Sequence, residues 1–355
     1  MGSNIATFAN GGALRARERL PKVRVPFGRE HLGPEVLEAV TEALRVGHHA
    51  GNGSQTELCH RLLADLMPGS KPLITHSGTA ALEMAALLVD LQPGDEVIMP
   101  SWTFSSTANA VVLRGAVPVF VDIRLDTLNL DEELVAAAIT PRTRAVMCVH
   151  YAGVGCAMED LRTICAAHGL ALIEDAAQGV GATWNGRPLG SIGDFGALSF
   201  HASKNVISGE GGALLINRRG AIARAEMVWE KGTDRARFSR NEVARYLWQD
   251  VGSSFLPSDI TAAILASQLR LTADTTRRRL AAWSFYDRRL REFGLDEHLM
   301  LPAIPREAGH NGHIYHVRVL SPDLRTPLKQ LLRAAGIEAV THYEPLHSAP
   351  AGLRF

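Results

Sequence analysis

Apolar positions along the chain recur at two spacings. From Gly33 the run PEVLEAVTEALRVG carries its apolar residues at helical spacing and stops at Gly47, which predicts an amphipathic helix closed by a glycine. Short apolar runs then alternate with helical patterns. Leu73-Ile74 leads into a helix from Thr79, and Glu96 to Met99 reads as a strand before a helix from Ser105 to Arg114. Val117 to Val121, Ala145 to His150, Leu170 to Glu174 and Ala213 to Ile216 are further strands of the buried kind. Strands alternating with helices predict an α/β fold with a largely parallel sheet covered on both faces. Ser258 to Phe293 carries one helical pattern free of Gly and Pro, suited to bridging two domains. Beyond it, after Pro302 and Pro305, a shorter β/α pattern predicts a smaller second domain. The expected organisation is an arm over residues 1–24, a large domain over 25–270 and a small domain over 271–355.

Composition narrows the function classes. The 355 residues fit two domains at roughly 150 residues each. Equal numbers of basic and acidic side chains, 37 each, exclude the global basicity of a nucleic-acid binder. Apolar residues at 46% and charged residues at 21% belong to a folded chain. The most apolar helical run, Ala80 to Leu91, contains Glu83 and Asp90, so no run approaches the ~18 uncharged apolar residues of a membrane span. Met1-Gly2-Ser3-Asn4 does not open a secretory signal, and the four cysteines show no C-x-x-C spacing. Free thiols in the cytoplasm are expected.

Three clusters carry chemistry. Thr75-His76-Ser77-Gly78-Thr79 lies between a strand and a helix, where free backbone N–H groups and the helix dipole suit a phosphate; a plain Ser/Thr N-cap reads the same way. In Leu172-Ile173-Glu174-Asp175-Ala176-Ala177-Gln178 an acidic pair ends a strand, where open α/β sheets place their ligands. One carboxylate there could meet a cationic heterocycle and Gln178 a ring substituent, or the pair could cap the next helix. Ser199-Phe200-His201-Ala202-Ser203-Lys204-Asn205 is followed by the turn Gly209-Glu210-Gly211-Gly212. A desolvated lysine in such a turn is the residue type for Schiff-base chemistry, whereas a solvated one would do nothing. A phosphate cradle, an acid for a pyridinium nitrogen and an amine 29 residues beyond the acid are together the parts that pyridoxal 5'-phosphate requires.

From about Val25 to its end the chain resembles the DegT/StrS family of nucleotide-sugar aminotransferases. The resemblance runs through VPFGREHLGPEV, HSGTAALEMAALL, VHYAGV, IEDAAQGVGA, GSIGDFGALSFHASKN and GEGGALL. It implies the type I fold of pyridoxal-phosphate enzymes, a mainly parallel seven-stranded sheet flanked by helices with a smaller C-terminal α/β domain. It also implies site residues. Gly78, Thr79 and Ser199 would hold phosphate, and Phe104 would stack on the cofactor, with Trp102 as second choice. Asp175 would face the pyridine nitrogen, Gln178 the ring hydroxyl, and Lys204 would form the Schiff base. Lys231, Arg235 and His342 are the expected substrate residues.

Within the family, QPGDEVIMPSWTFSSTANAVVLRGA, Glu230-Lys231-Gly232-Thr233-Asp234-Arg235 and Tyr246 to Ser254 resemble one branch. That branch aminates carbon 4 of dTDP-4-keto-6-deoxy-D-glucose from glutamate, and the family fold, with the basic segment Lys231 to Trp248, implies a homodimer with shared active sites. There are two departures. Leu256 occupies the place of an Asn that many members donate across the dimer to the phosphate, leaving Ser253 or Ser254 as substitutes. The family also continues beyond His342-Tyr343-Glu344-Pro345-Leu346-His347 further than Phe355, so the small domain is expected to be incomplete.

Rival readings fit less well. Gly153-Val154-Gly155 begins a dinucleotide fingerprint, but Met158 replaces its third glycine. Sugar dehydratases on this scaffold carry His in place of Lys204, and a non-catalytic sensor would be expected to lose Asp175 or Lys204. No metal-ligand constellation is expected among the histidines, which include His48-His49, His310 and His313.

Overall fold

The computed structural model describes residues 23–355, so residues 1–22 of the expected arm lie outside the described residues. The described chain forms two compact units, residues 23–29 with 321–341, and Glu30–Leu320 with His342–Phe355.

The larger unit is built on seven strands: β1 (Lys71–Thr75), β2 (Glu96–Pro100), β3 (Val117–Val121), β4 (Thr143–Val149), β5 (Ala171–Asp175), β6 (Phe195–Ser199) and β7 (Gly212–Ile216). Their order across the sheet is β1-β7-β6-β5-β4-β2-β3. All neighbours are parallel except those of β7, which runs antiparallel to both β1 and β6. The α/β fold with a mainly parallel sheet is therefore the one expected. The exception has a plain cause: β6 turns straight back into β7 through residues 200–211, with no helix between them to carry the chain across.

Helices cover both faces. They are α1 (Pro34–Val46), α2 (Ser54–Leu66), α3 (Gly78–Leu88), α4 (Ser105–Val112), α5 (Glu132–Ala137), α6 (Met158–His168), α7 (Ile222–Trp229), α8 (Arg235–Ser239), α9 (Asp259–Leu269) and α10 (Thr272–Glu292). Alternate residues of the central strands feed two cores. Val146, Cys148 and Leu172 join Leu63, Leu161 and Leu265 from α2, α6 and α9. Ala145, Met147 and Ile173 join Met84, Ala110 and Val228 from α3, α4 and α7. Each buried Leu, Ile or Met stabilises this arrangement by roughly 1.5–3 kcal/mol, so the strand ends are rigid supports for side chains. The same two-sided burial explains why the central strands read as unbroken apolar runs, whereas β3, expected to be buried, lies at the sheet edge with Val117 exposed and only Pro118 buried.

The helix expected over Ser258 to Phe293 is two helices. The chain breaks at Arg270-Leu271, where the Thr272 hydroxyl donates to the Leu269 carbonyl at 2.7 Å. The surroundings change at that point. Most of α9 is buried, whereas α10 buries only Thr272, and one straight axis would not follow both environments.

In the smaller unit α11 (Pro322–Ala334) starts with Pro322 in its first turn, where no N–H is needed. Val25 and Ile337 form a parallel bridge there, and the Phe27 N–H donates to Glu338 Oε2 at 3.0 Å. Among the described residues no helix is long and apolar enough to cross a membrane.

Candidate active site

The stretch expected to cradle a phosphate lies where three strand ends meet. Thr75 of β1 and Ser199 of β6 both pair with Gly212 of β7, which sets them at one level. Ser77 caps α3, its Oγ accepting from the Ala80 N–H at 3.1 Å, and the first N–H groups of the helix, from Gly78 and Thr79, have no partner within it. The capping reading is therefore observed, and it leaves these two N–H groups unused within the helix. Thr79 Oγ1 lies 2.7 Å from Ser106 Oγ at the start of α4. A Cβ on Gly78 would sit 2.9 Å from Ser199 Cβ, so the glycine leaves the cradle open.

Gly212 is under a stronger constraint. A Cβ there would lie 2.4 Å from the Ser77 carbonyl and 2.5 Å from the Gly78 nitrogen. The strand that ends the lysine turn is thereby pressed against the backbone of the cradle. Gly212→Ala is expected to cost about 1–3 kcal/mol through overpacking, measured by urea unfolding, and to loosen retention of a phosphate-bearing cofactor on dialysis. An unchanged midpoint with unchanged retention would contradict this.

The acidic pair at the end of β5 divides between the two faces, as a period of two requires. Glu174 is fully buried and structural. Its Oε1 accepts from the N–H groups of Ile192 and Gly193, both at 2.6 Å; its Oε2 accepts from Gly190 N–H at 2.8 Å and lies 2.9 Å from His150 Nε2. Asp175 faces α4. Its Oδ2 accepts from the Thr107 hydroxyl at 2.8 Å and its Oδ1 from the Ala177 N–H at 3.2 Å. A carboxylate only accepts, so Thr107 donates to it and in turn accepts from Thr103, 2.8 Å away. Burial pushes the Asp175 pKa up, while Thr107, the Ala177 N–H, Lys204 and His150 oppose the rise. Such a buried acid, already aligned by donors, is arranged to accept a cation.

Lys204 sits in the turn between β6 and β7. The turn is closed by Phe200 N–H to Gly211 O, Ser208 N–H to Phe200 O and Ala202 N–H to Gly209 O, each at 2.8 Å. Arg279 of α10 donates to the carbonyls of Lys204 and His313, at 3.4 and 3.1 Å. Asn205 donates to the Asn311 carbonyl at 3.2 Å and meets His313 Nδ1 at 2.9 Å. Burial lowers the Lys204 pKa and Asp175 resists the change. This favours the neutral, nucleophilic amine. The positive charge of Lys204 also helps to lower the pKa of His313 and His342, after burial, so these rings share its surroundings.

An aromatic wall completes the site. Gln178 Oε1 accepts from the Ala152 N–H at 2.7 Å, which turns its amide nitrogen to donate to Tyr343 Oη at 3.1 Å. His342 stacks on Tyr343 at 4.5 Å and its Nδ1 lies 3.4 Å from Tyr151 Oη. Trp102 meets Tyr151 and Tyr343 edge-on. Phe104, just before α4, is 61% exposed and presents an open ring. Lys231 and Arg235 take another partner, the buried Glu230, at 2.8 and 3.7 Å. Among the described residues no hydrogen bond or ion pair joins them to Lys204. Thr103, Ser106, Thr107, Tyr151 and Tyr343 were not singled out by sequence, and His313 was named there only as a histidine outside any metal-ligand constellation. Only Thr103 and Thr107 carried a local signal, two hydroxyls four residues apart across a helix start.

An open cradle at a helix N-terminus, an acid aligned by donors and an insulated amine fit pyridoxal phosphate on the chain's own geometry. The model of the DegT/DnrJ/EryC1/StrS aminotransferase family matches residues 30–353. The chain belongs to this family. It is similar to the spore coat polysaccharide biosynthesis protein SpsC of Bacillus subtilis (strain 168), at 32% identity over 92% of this chain and 85% of SpsC. Among solved structures it resembles DesV of S. venezuelae, with a TM-score of 0.81 and 31% identity over 90% of this chain and 82% of DesV. It also resembles Spr1654 of Streptococcus pneumoniae in its PLP-form, with a TM-score of 0.83 and 27% identity over 93% and 87% of the two chains. The chain is a pyridoxal-phosphate-dependent aminotransferase.

Proposed function

We propose that the enzyme moves an amino group from L-glutamate to carbon 4 of dTDP-4-keto-6-deoxy-D-glucose, giving a dTDP-4-amino-4,6-dideoxyhexose. The observation that carries the reading is the way two branch-like strings fold onto each other. Glu230 bridges to Ser254 and Thr233 to Trp248, while buried Asp234 accepts from the Leu247 N–H at 2.7 Å and from Gln249 Nε2 at 3.2 Å. The resulting arm carries Lys231, Arg235, Arg237, Arg240 and Arg245, and forked guanidinium donors suit a nucleotide diphosphate. Arg235 stands 3.7 Å from Glu230, a distance that leaves its donors available to a phosphate.

When bound, pyridoxal phosphate supplies an aldehyde that carries the amino group and a ring that takes up the electron pair of the broken C–H bond. In this proposal Gly78, Thr79 and Ser199, joined by Ser106, bind its phosphate. Asp175, held by Thr107 and the Ala177 N–H, keeps the proton on the ring nitrogen. Gln178 orients the ring hydroxyl and Phe104 covers the ring. Lys204 would hold the aldehyde carbon through Nζ and would carry the proton between carbons. Tyr151, Tyr343 and Trp102 exclude water, and His342 stands on the substrate side.

The proposed assembly is a cytoplasmic homodimer with shared sites. Tyr246, Leu247 and Trp248 of the arm are exposed, Trp248 at 81%, and this apolar surface suits a second copy. Product analysis by NMR, from glutamate and dTDP-4-keto-6-deoxyglucose, tests the reaction. A 4-amino sugar nucleotide with matching 2-oxoglutarate is expected. Turnover of other keto sugars but not of this one would reject the substrate.

A further inference from the structure

A buried donor cluster lies on the α6 face of the sheet, behind the acid and outside the transamination machinery. Cys148 is near the end of β4, His150 follows that strand, and Cys156 precedes α6, whose first residue is Met158. One donor atom from each of Cys148, His150 and Cys156 lies within 4.8 Å of the other two, and all three residues are buried. Cys148 Sγ is 3.9 Å from Met158 Sδ. Zinc–sulfur bonds of about 2.3 Å and zinc–nitrogen bonds of about 2.0–2.1 Å place ligand atoms about 3.5–4 Å apart. The cluster therefore needs only a small contraction to enclose an ion.

The histidine is already oriented for the task. His150 Nδ1 accepts the Cys156 N–H at 3.2 Å, which makes Nε2 the protonated nitrogen, donating to Glu174 at 2.9 Å. The Nδ1 lone pair is held by the Cys156 backbone N–H, the bond that an ion would replace. A carboxylate on the far nitrogen is the usual support of a histidine ligand, fixing its tautomer and raising its basicity. Glu174 is itself fixed by three backbone N–H groups. Charge then selects the ion. Two thiolates balance a divalent cation but not a monovalent one, while the Glu174 carboxylate is offset by the three backbone N–H groups that donate to it.

We propose that Cys148, His150 and Cys156, with Met158 as the fourth donor, bind one thiophilic divalent ion, zinc. Binding exchanges the two thiol protons, released to solvent, for two zinc–sulfur bonds. The Nδ1 lone pair passes from the Cys156 N–H to the metal.

The test uses holoenzyme from zinc-supplemented cultures, with metal content measured by mass spectrometry after passage through a chelating buffer. About one zinc per chain is expected, as for a closed site with a full ligand set, and Cys148→Ser and Cys156→Ser should each lose it. Cobalt supplied in place of zinc should give wild-type holoenzyme a thiolate-to-metal absorption band. If a serine variant fails to fold, the wild-type metal count and the cobalt band decide. A metal-free wild type, equal zinc in wild type and folded variants, or a Cys148–Cys156 disulfide in peptide mapping would overturn the proposal.

Discussion

Replacing Lys204 by alanine is expected to abolish turnover, by about 10⁴-fold or more, and to remove the visible absorbance of lysine-bound cofactor. The protein should still fold, because the backbone around position 204 is held by Arg279, Asn205 and the turn itself, none of which uses the amine. Parallel assays of absorbance, turnover and thermal unfolding check the three parts, and retained turnover would exclude Lys204 as the amine that matters. The lowered pKa adds a test in the wild type. Only the neutral amine attacks an aldehyde, so cofactor uptake by stripped enzyme should accelerate as pH rises. It should level off below the ordinary lysine value of 10.5.

Asp175→Asn should cut kcat on the order of 10²–10³-fold, the scale of losing one aligned electrostatic partner of the reacting group, with a smaller change in KM. The stability of cofactor-free protein should move the other way. Burial raises the folded pKa of Asp175 above 3.8. As pH climbs from that value through the raised one, the unfolded chain has given up its proton while the folded chain still holds it, so stability falls. Asparagine does not ionise. The variant should therefore melt higher than wild type at neutral pH, and the gap should close in the acid range where both side chains are neutral. A variant that melts lower at neutral pH would mean that Thr107, the Ala177 N–H and Lys204 outweigh burial.

What could be read from sequence were features confined to a few neighbouring residues. Strands β1, β2, β4, β5 and β7 were visible as apolar runs because both of their faces are buried, and the edge strand β3 was visible although it is mostly part-buried. Gly78, Asp175 and Lys204 were legible as candidates because each lies at or just beyond a strand end beside residues of matching chemistry. The break between α9 and α10 was invisible, since no glycine or proline marks it and the cause is a change in what surrounds the helix. The direction of β7 could not be read either, because an apolar run is the same in both directions. The division of Glu174 and Asp175 between structure and chemistry depends on which helix lies opposite each face. Trp102, Tyr151 and Tyr343 form one wall from distant parts of the chain, and His313 reaches Asn205 over 108 residues.

The pairing of β1 with β7 has a consequence for synthesis of the chain. β1 is an edge strand whose single neighbour comes much later, and Ser70 and Asn217, bonded at the foot of the pair, are 147 residues apart. At ~5–20 residues per second a ribosome needs roughly 7–30 s to cover that interval. Throughout it Leu73 and Ile74, both buried in the finished fold, have no strand to lie against. Nascent chains are thus most prone to aggregate before Gly212 emerges, and slower expression at low temperature or added chaperone should raise the soluble yield. Vitamin supply matters only after that point, since the proposed phosphate cradle is completed by the last strand of the sheet to be made.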